Sequence, residues 1–308
     1  MGFDVRFDEP PAVVDTTVET DDWSRPRGGQ AIPPEPLYFI DGVRRIELRL
    51  LADIDDRRVP GLFGSFGVGA ALCDGRASFA EHEIGHCLIL GGGGGREKID
   101  GIDVRCGKDV FRFKGFTTPE TEPDAPLLRL QHLMRTAEAD LAARVAADHS
   151  NLVAVDGPLA FYSETKAPVV GVIKRFGRVY LEPEQGQLIP RLVPGQRTPL
   201  FAIAEKSDRR RRYAWYARLV EQRLPWHDHA GVVRCEVRGG MPVPDAAALA
   251  DRVSALLPQF AGRASDPRTP QNLAPIAGLE TWLRHRLGDT RLIRRALLDW
   301  IATAEVAA

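Results

Sequence analysis

The sequence is short of the features that would settle its class at once. Of its 308 residues 7% are aromatic and four are cysteine, and lysine plus arginine (41) nearly balance aspartate plus glutamate (42), for a formal charge of −1. A balance so near zero excludes a uniformly basic nucleic-acid binder. No apolar run reaches membrane-spanning length and no secretory leader is visible. Cys73, Cys87, Cys106 and Cys235 are widely spaced and form no CxxC pair, so they are expected as free thiols in a reducing cytoplasm. There is no GxxxxGK[ST] loop, so nucleotide-driven work would need a partner, and no repeat of 20 to 50 residues supports a solenoid or propeller.

What is present is ordinary material for a folded α/β domain, with 44% hydrophobic and 27% charged residues. Charge is uneven along the chain. Residues 1–22 carry seven acids against Arg6, a net of −6, which leaves +5 for the remainder. Residues 1–36 combine these acids with six prolines, a composition unsuited to a long helix or a central strand, and are expected as an extended arm. The domain proper is expected to span 37–308.

Within it, LYFIDGVRRIELRL (37–50) reads as a strand that contains Asp41. GLFGSFGVGAALC (61–73) and residues 78–90 follow around the turn signal Asp74-Gly75, which predicts an antiparallel meander. Gly91 to Gly95 mark a flexible joint, and 99–116 reads as a further hairpin. The period then changes over 127–147, where Leu130, Leu133, Met134, Leu141 and Val145 predict an amphipathic helix. NLVAV (151–155) is a short buried strand that leads into Asp156-Gly157-Pro158. Strands are expected at 168–175, 200–205 and 232–237, and helices at 246–260, 274–287 and 290–303. The fold class expected is α/β, with a ribonuclease-H-like mixed sheet and a helical C-terminal region.

Cleavage of a phosphodiester by two metal ions needs carboxylates from several elements to hold divalent ions about 3.5–4 Å apart. In the ribonuclease-H-like arrangement one acid comes from the first strand, one from the helix after the meander and one from the end of the next strand. Asp41 and Asp156 fill the first and third places. Both precede glycine in apolar surroundings, where a lone carboxylate is costly to bury. Glu138 is the helix candidate, with Asp140 close by; the helical period alone does not choose between them. Lys174 and Arg175 end an apolar strand and could take a phosphate. Arg209 to Arg212, followed by Tyr213, Trp215 and Tyr216, join backbone-neutralising charge with rings able to stack on bases, Arg211 and Tyr216 being the residues singled out.

One further pattern is literal. His82-Glu83-Ile84-Gly85-His86 fits HExxH, in which a helix brings two histidines to one zinc. Here Gly85 and the preceding hairpin favour a strand, which would set the histidines about 13 Å apart, too far for one ion.

FIDGVRR (39–45), AVDGPL (154–159), GVIKR (171–175) and DPRTPQNLAPIAGLE (266–280), in this order and spacing, resemble the NurA nuclease family from about residue 37 to the C-terminus. The resemblance implies manganese-dependent (or magnesium-dependent) 5′-to-3′ exonuclease and endonuclease activity on DNA. It also implies a homodimer and partnership with the hexameric ATPase HerA in DNA end resection. It places Asp41, Glu138 and Asp156 on the metal, with Lys174 beside them, and Arg44, Arg175, Arg268, Gln271 and Asn272 toward DNA. The tail departs from the family pattern, which carries a tyrosine and a histidine at the metal site: it offers Asp266, Arg268, Gln271 and Asn272, and no histidine until His285. Gln271 or Asn272 could supply a neutral oxygen there or cap the next helix. A DNA-binding subunit without catalysis is the alternative that this departure suggests.

Overall fold

A computed structural model describes residues 13–54, 57–92, 98–148, 151–159, 168–175, 179–204, 211–223, 227–262 and 271–307. The chain divides into two compact units. Unit 1 comprises residues 1–39, 73–77 and 143–277, and unit 2 comprises 40–72, 78–142 and 278–308. Each holds a mixed sheet and helices, so the class is α/β as expected.

In unit 2 the strands are β3 (Leu37–Ile54, from Ile40 onward), β4 (Arg57–Asp74), β5 (Arg76–Leu90), β6 (Lys98–Cys106) and β7 (Asp109–Thr117). Their order is β3-β4-β5-β7-β6. Consecutive neighbours joined by turns this short are antiparallel, so β3-β4-β5 is the predicted meander, and Gly75 at φ 67° makes its second turn. β7 pairs with β5 in parallel and with β6 antiparallel.

Small residues decide how the helices approach this sheet. On β4 a side chain at Gly64 would strike Leu130 of α1 (Ala125–Val145), whereas side chains at Gly67 and Gly69 would meet Leu279, Leu283 and Leu287 on and just after α4 (Ala274–Arg286). Because strand residues alternate between faces, α1 covers one face and α4 the other. α5 (Thr290–Ala307) adds Ile293 and Leu297 to a core of Phe63, Leu88, Val104 and Phe113.

Unit 1 is ordered β1-β11-β12-β13-β9-β8, from Val13–Asp15, Phe201–Ala204, Arg212–Arg218, Val232–Arg238, Val169–Ile173 and Leu152–Asp156. β8 and β9 are parallel, with Asp156 opposite Val172, and the other neighbours in this order are antiparallel. Two-residue strands β2 (Arg27–Gly28) and β10 (Gln196–Arg197) pair with each other, and β10 also pairs with β12. α2 (Pro183–Gly186) is one turn, and α3 (Val243–Leu256) packs on the face that carries Trp215, whose indole N–H donates to Ser254 at 3.0 Å. On the opposite face Tyr216, Phe201, Ile203, Tyr180 and Ile189 form the core.

One expectation is corrected here. The basic-aromatic stretch, read as charge and rings for DNA, enters the strand β12 in the interior of unit 1 at Arg212; Arg211 precedes the strand half-buried, and Arg209 and Arg210 lie outside the described residues. Trp215 and Tyr216 are fully buried, Tyr216 stacks on Phe201, and its hydroxyl oxygen accepts from the Tyr180 N–H, so Tyr216 has no face to offer a base. Arg212, likewise buried, faces Glu236 at 3.4 Å. The N-terminal arm, described from Val13 onward, is held by an ion pair. Its Glu19 accepts both terminal nitrogens of the buried Arg197 (2.8 and 3.0 Å) and the Leu200 N–H, while Asp251 of α3 takes Arg197 Nε at 2.7 Å.

Burial works to raise the pKa of Glu19, but hydrogen bonds and charge from Arg197 outweigh it and hold the carboxyl below its ordinary 4.5. Such a depressed carboxyl stabilises the fold above pH 4.5, and this contribution fades as pH falls through the folded value. Glu19→Gln should therefore cost about 2–3 kcal/mol at neutral pH, and the gap between variant and wild type in urea denaturation should narrow below pH 4.5. A cost independent of pH would show that the pair is not what anchors the arm.

Candidate metal centre

The two acids that the sequence places on strands lie in different units. Asp41, in unit 2, is 5% exposed on β3, where Phe39 and Val43 share its side of the strand and are also buried. Its side chain leaves on the α4 face, because one placed at the next position, Gly42, would run into Glu138 and Met134 of α1. There the carboxylate oxygens of Asp41 and of Glu280, on α4, come within 4.8 Å of each other. Glu280 also accepts from Arg284 Nη2, one turn along the helix, at 2.7 Å. In sequence Glu280 stands out only as the last residue of the tail fragment 266–280. Its signal was the recurrence Ile276, Leu279, Leu283 on α4, which buries that stripe and leaves position 280 on its flank.

Glu138 approaches β3 from the other face. It is 2% exposed, takes Arg135 Nη1 at 2.7 Å, and its Oε1 lies so close over Gly42 that any side chain there would collide with it. Asp140 is exposed, so the helix residue turned inward is Glu138. The Asp41-Gly42 step thus does two things: it aims one carboxylate at α4, and by having no side chain at 42 it seats a second carboxylate from α1 against the strand. Arg44, again on the α1 face, donates to Gln131.

α4 is locked in place at its C-terminal end. Arg45, on the same face as Asp41, donates to the carbonyls of Gly288 (3.0 Å) and Leu287 (3.1 Å) and pairs with the buried Glu47 at 2.8 Å. Ser65 links Glu47 (2.6 Å) to His86 Nδ1 (2.8 Å), and His86 packs edge-on against Phe111. Burial, with Arg45 nearby, lowers the His86 pKa to about 4, so it is neutral at physiological pH. These bonds fix α4 against β3, and with it the spacing of Glu280 from Asp41.

The HExxH segment is strand β5, as expected. His82 packs edge-on against Trp282 while His86 joins the Ser65 network, so the two serve different neighbours.

In unit 1, Asp156 ends β8 and accepts Lys174 Nζ at 2.8 Å, so the expected cation sits on the expected acid. A side chain at Gly171 would strike the Gly157 carbonyl, which accounts for the glycine of GVIKR beside the second Asp-Gly. Leu159 N–H donates to Glu236 at 2.6 Å. Arg175 is exposed. Arg211 lies 3.7 Å from Asp15 and over the Tyr213 ring. Gln271 is corrected: it is buried, and its amide nitrogen donates to the carbonyls of Val232 (2.6 Å) and His229 (3.3 Å), a structural tie rather than a contact for DNA. Asn272 is exposed, and Arg268 and Asp266 lie outside the described residues. All four cysteines are free thiols, and among the described residues no helix is long and apolar enough to cross a membrane.

No protein-family model matches the chain, and no curated protein matches it. Among solved structures it is similar to the NurA nuclease from Sulfolobus solfataricus, with 12% identity, a TM-score of 0.45, and coverage of 91% of this chain and 86% of that one. At that level the likeness adds nothing to the α/β description above, and the chemistry has to come from the side chains.

The close approach of Glu138 to Gly42 has a measurable consequence. Gly42→Ala should destabilise the protein by about 1–3 kcal/mol through overpacking, and the cost should shrink in a Glu138→Ala background, where the colliding oxygens are gone. Equal costs in both backgrounds, read by chemical denaturation, would place Glu138 elsewhere.

Proposed function

We propose that the chain is a metal-dependent nuclease that hydrolyses phosphodiester bonds in DNA. The observation that carries this reading is the Asp41–Glu280 pair, two carboxylates from different elements within 4.8 Å on the buried side of a sheet. Carboxylate oxygens that converge from two different elements are the kind of donor pair a divalent cation takes. The donors are hard carboxylate oxygens, which favour manganese or magnesium over zinc. When bound, such ions lower the pKa of a water and stabilise a leaving oxygen.

Asp41, held by β3, and Glu280, held by α4, are the ligands proposed first. Asp156 is proposed as a third, and Glu138 as the acid that braces the Asp41-Gly42 step or joins the ligands. Both assignments rest on the sequence motifs. Lys174 holds Asp156 at 2.8 Å until a cation or a phosphate competes for one of them. The 5′-to-3′ polarity, a role in end resection, the homodimer and a HerA-like ATPase partner are parts of the same proposal and rest on the sequence resemblance alone. A DNA-binding role without cleavage is favoured by one contact, the Arg284–Glu280 ion pair, which could stand where a metal would.

Labelled linear DNA incubated with manganese, magnesium or EDTA tests the reading. Cleavage is expected with either metal and not with EDTA. Asp41→Asn, Glu280→Gln and Asp156→Asn should each lower the rate at least a hundredfold, on the order of the loss of a metal-centred stabilisation of several kcal/mol. Normal turnover by Asp41→Asn, or activity that survives EDTA, would overturn it. If Glu138→Gln is inactive and Glu280→Gln is not, the helix ligand is on α1 rather than α4.

A further inference from the structure

With β12 buried, the rings able to meet a nucleobase have to be sought elsewhere, and unit 2 displays a set of them. Trp282 of α4 stacks on Phe79 of β5, with centroids 5.1 Å apart and planes at 29°. His82 meets the same indole edge-on at 4.8 Å, and the Arg286 guanidinium lies 4.8 Å from its ring centre. Phe79 is 37% exposed, His82 and Arg286 are exposed, and Trp282 behind them is half-buried. This is the first histidine of HExxH, with a role that has nothing to do with zinc. Surface clusters of two large rings capped by an arginine are not what water selects for.

Their place on the helix is informative. With Leu279 and Leu283 facing the sheet, the 100° step of a helix puts Glu280 on one flank of α4 and Trp282 and Arg286 on the other. The first flank faces Asp41 on β3 and the second faces β5, two strand positions away, about 10 Å. The chain from Glu280 to Arg295 carries five arginines against two acids, which gives the strip a net +3 beside the rings.

We propose that Phe79 and Arg286, both exposed and both packed on Trp282, form a stacking platform for unpaired bases of single-stranded DNA, next to the Asp41–Glu280 centre and distinct from it. Arginine and ring faces take any base without reading its edges, while a duplex keeps its bases stacked on one another and cannot use them. The platform rests on the nuclease reading for its choice of DNA, but its own contacts are independent of the metal.

The test is fluorescence anisotropy of labelled oligo-dT and of a duplex of equal length, both in EDTA so that nothing is cut. Trp282→Ala should weaken oligo-dT binding about tenfold or more, Phe79→Ala should act in the same direction, and duplex binding should be little changed. Trp282→Phe, which keeps a ring, should restore most of the affinity and so separates stacking from misfolding. Unchanged oligo-dT binding by Trp282→Ala, equal losses on single strand and duplex, or no recovery with Trp282→Phe would overturn the platform. Cleavage is measured separately: an intact platform without cleavage would sink only the nuclease reading, and cleavage without the binding pattern only the platform.

Discussion

The structure depends most on two carboxylates from different elements, Asp41 and Glu280, which bring an oxygen of each within 4.8 Å on the covered face of a sheet. Much of unit 2 is built so that they cannot move apart. Asp41 is inside a long strand whose register is set by its partner in the meander. Glu280 is on a helix whose approach depends on glycines of β4, and whose C-terminal end is fastened by Arg45 through two carbonyls and a buried ion pair with Glu47. Relaxation by side-chain rotation is open to Glu280 through Arg284, but the backbone of neither acid can yield. Rigid, converging oxygen donors are what a hard divalent cation requires.

Glycine is the second theme. At 42 the missing side chain admits a carboxylate, at 64 a leucine of α1, at 67 and 69 leucines of α4 and the residue just beyond it, and at 171 the carbonyl of Gly157. In sequence these positions look like permissive backbone. In the fold they are places of closest approach, and two of them stand beside the acids that matter most.

Much of this was legible in the sequence. The meander, the β6–β7 hairpin, α1, the short strand ending in Asp156, and the three later helices are encoded by period and turn chemistry, and they appear within a few residues of where those signals place them. Lys174 pairs with Asp156 beside the second Asp-Gly step, whereas Glu138 lies against Gly42 on the face opposite Asp41. What periodicity could not convey was partnership. Arg212, Trp215 and Tyr216 read as a charged aromatic surface because nothing local announces that Glu236, Ser254 and Phe201 will cover them. Glu280 was hidden for the same reason: one acid on the flank of a helix gains meaning only when a strand 240 residues earlier brings Asp41 to it. The exposed rings were hidden too, since Phe79 and Trp282 are some 200 residues apart in the chain and meet only in the fold.

The central claim is that Asp41 and Glu280 together hold a divalent ion. Diffraction from crystals soaked in manganese, with anomalous scattering recorded at the manganese edge, would test it most directly. The account predicts an anomalous peak within about 2.5 Å of a carboxylate oxygen of each residue, lost in Glu280→Gln crystals. Manganese bound away from this pair, or an Arg284 side chain that keeps Glu280 with no metal at either acid, would contradict it.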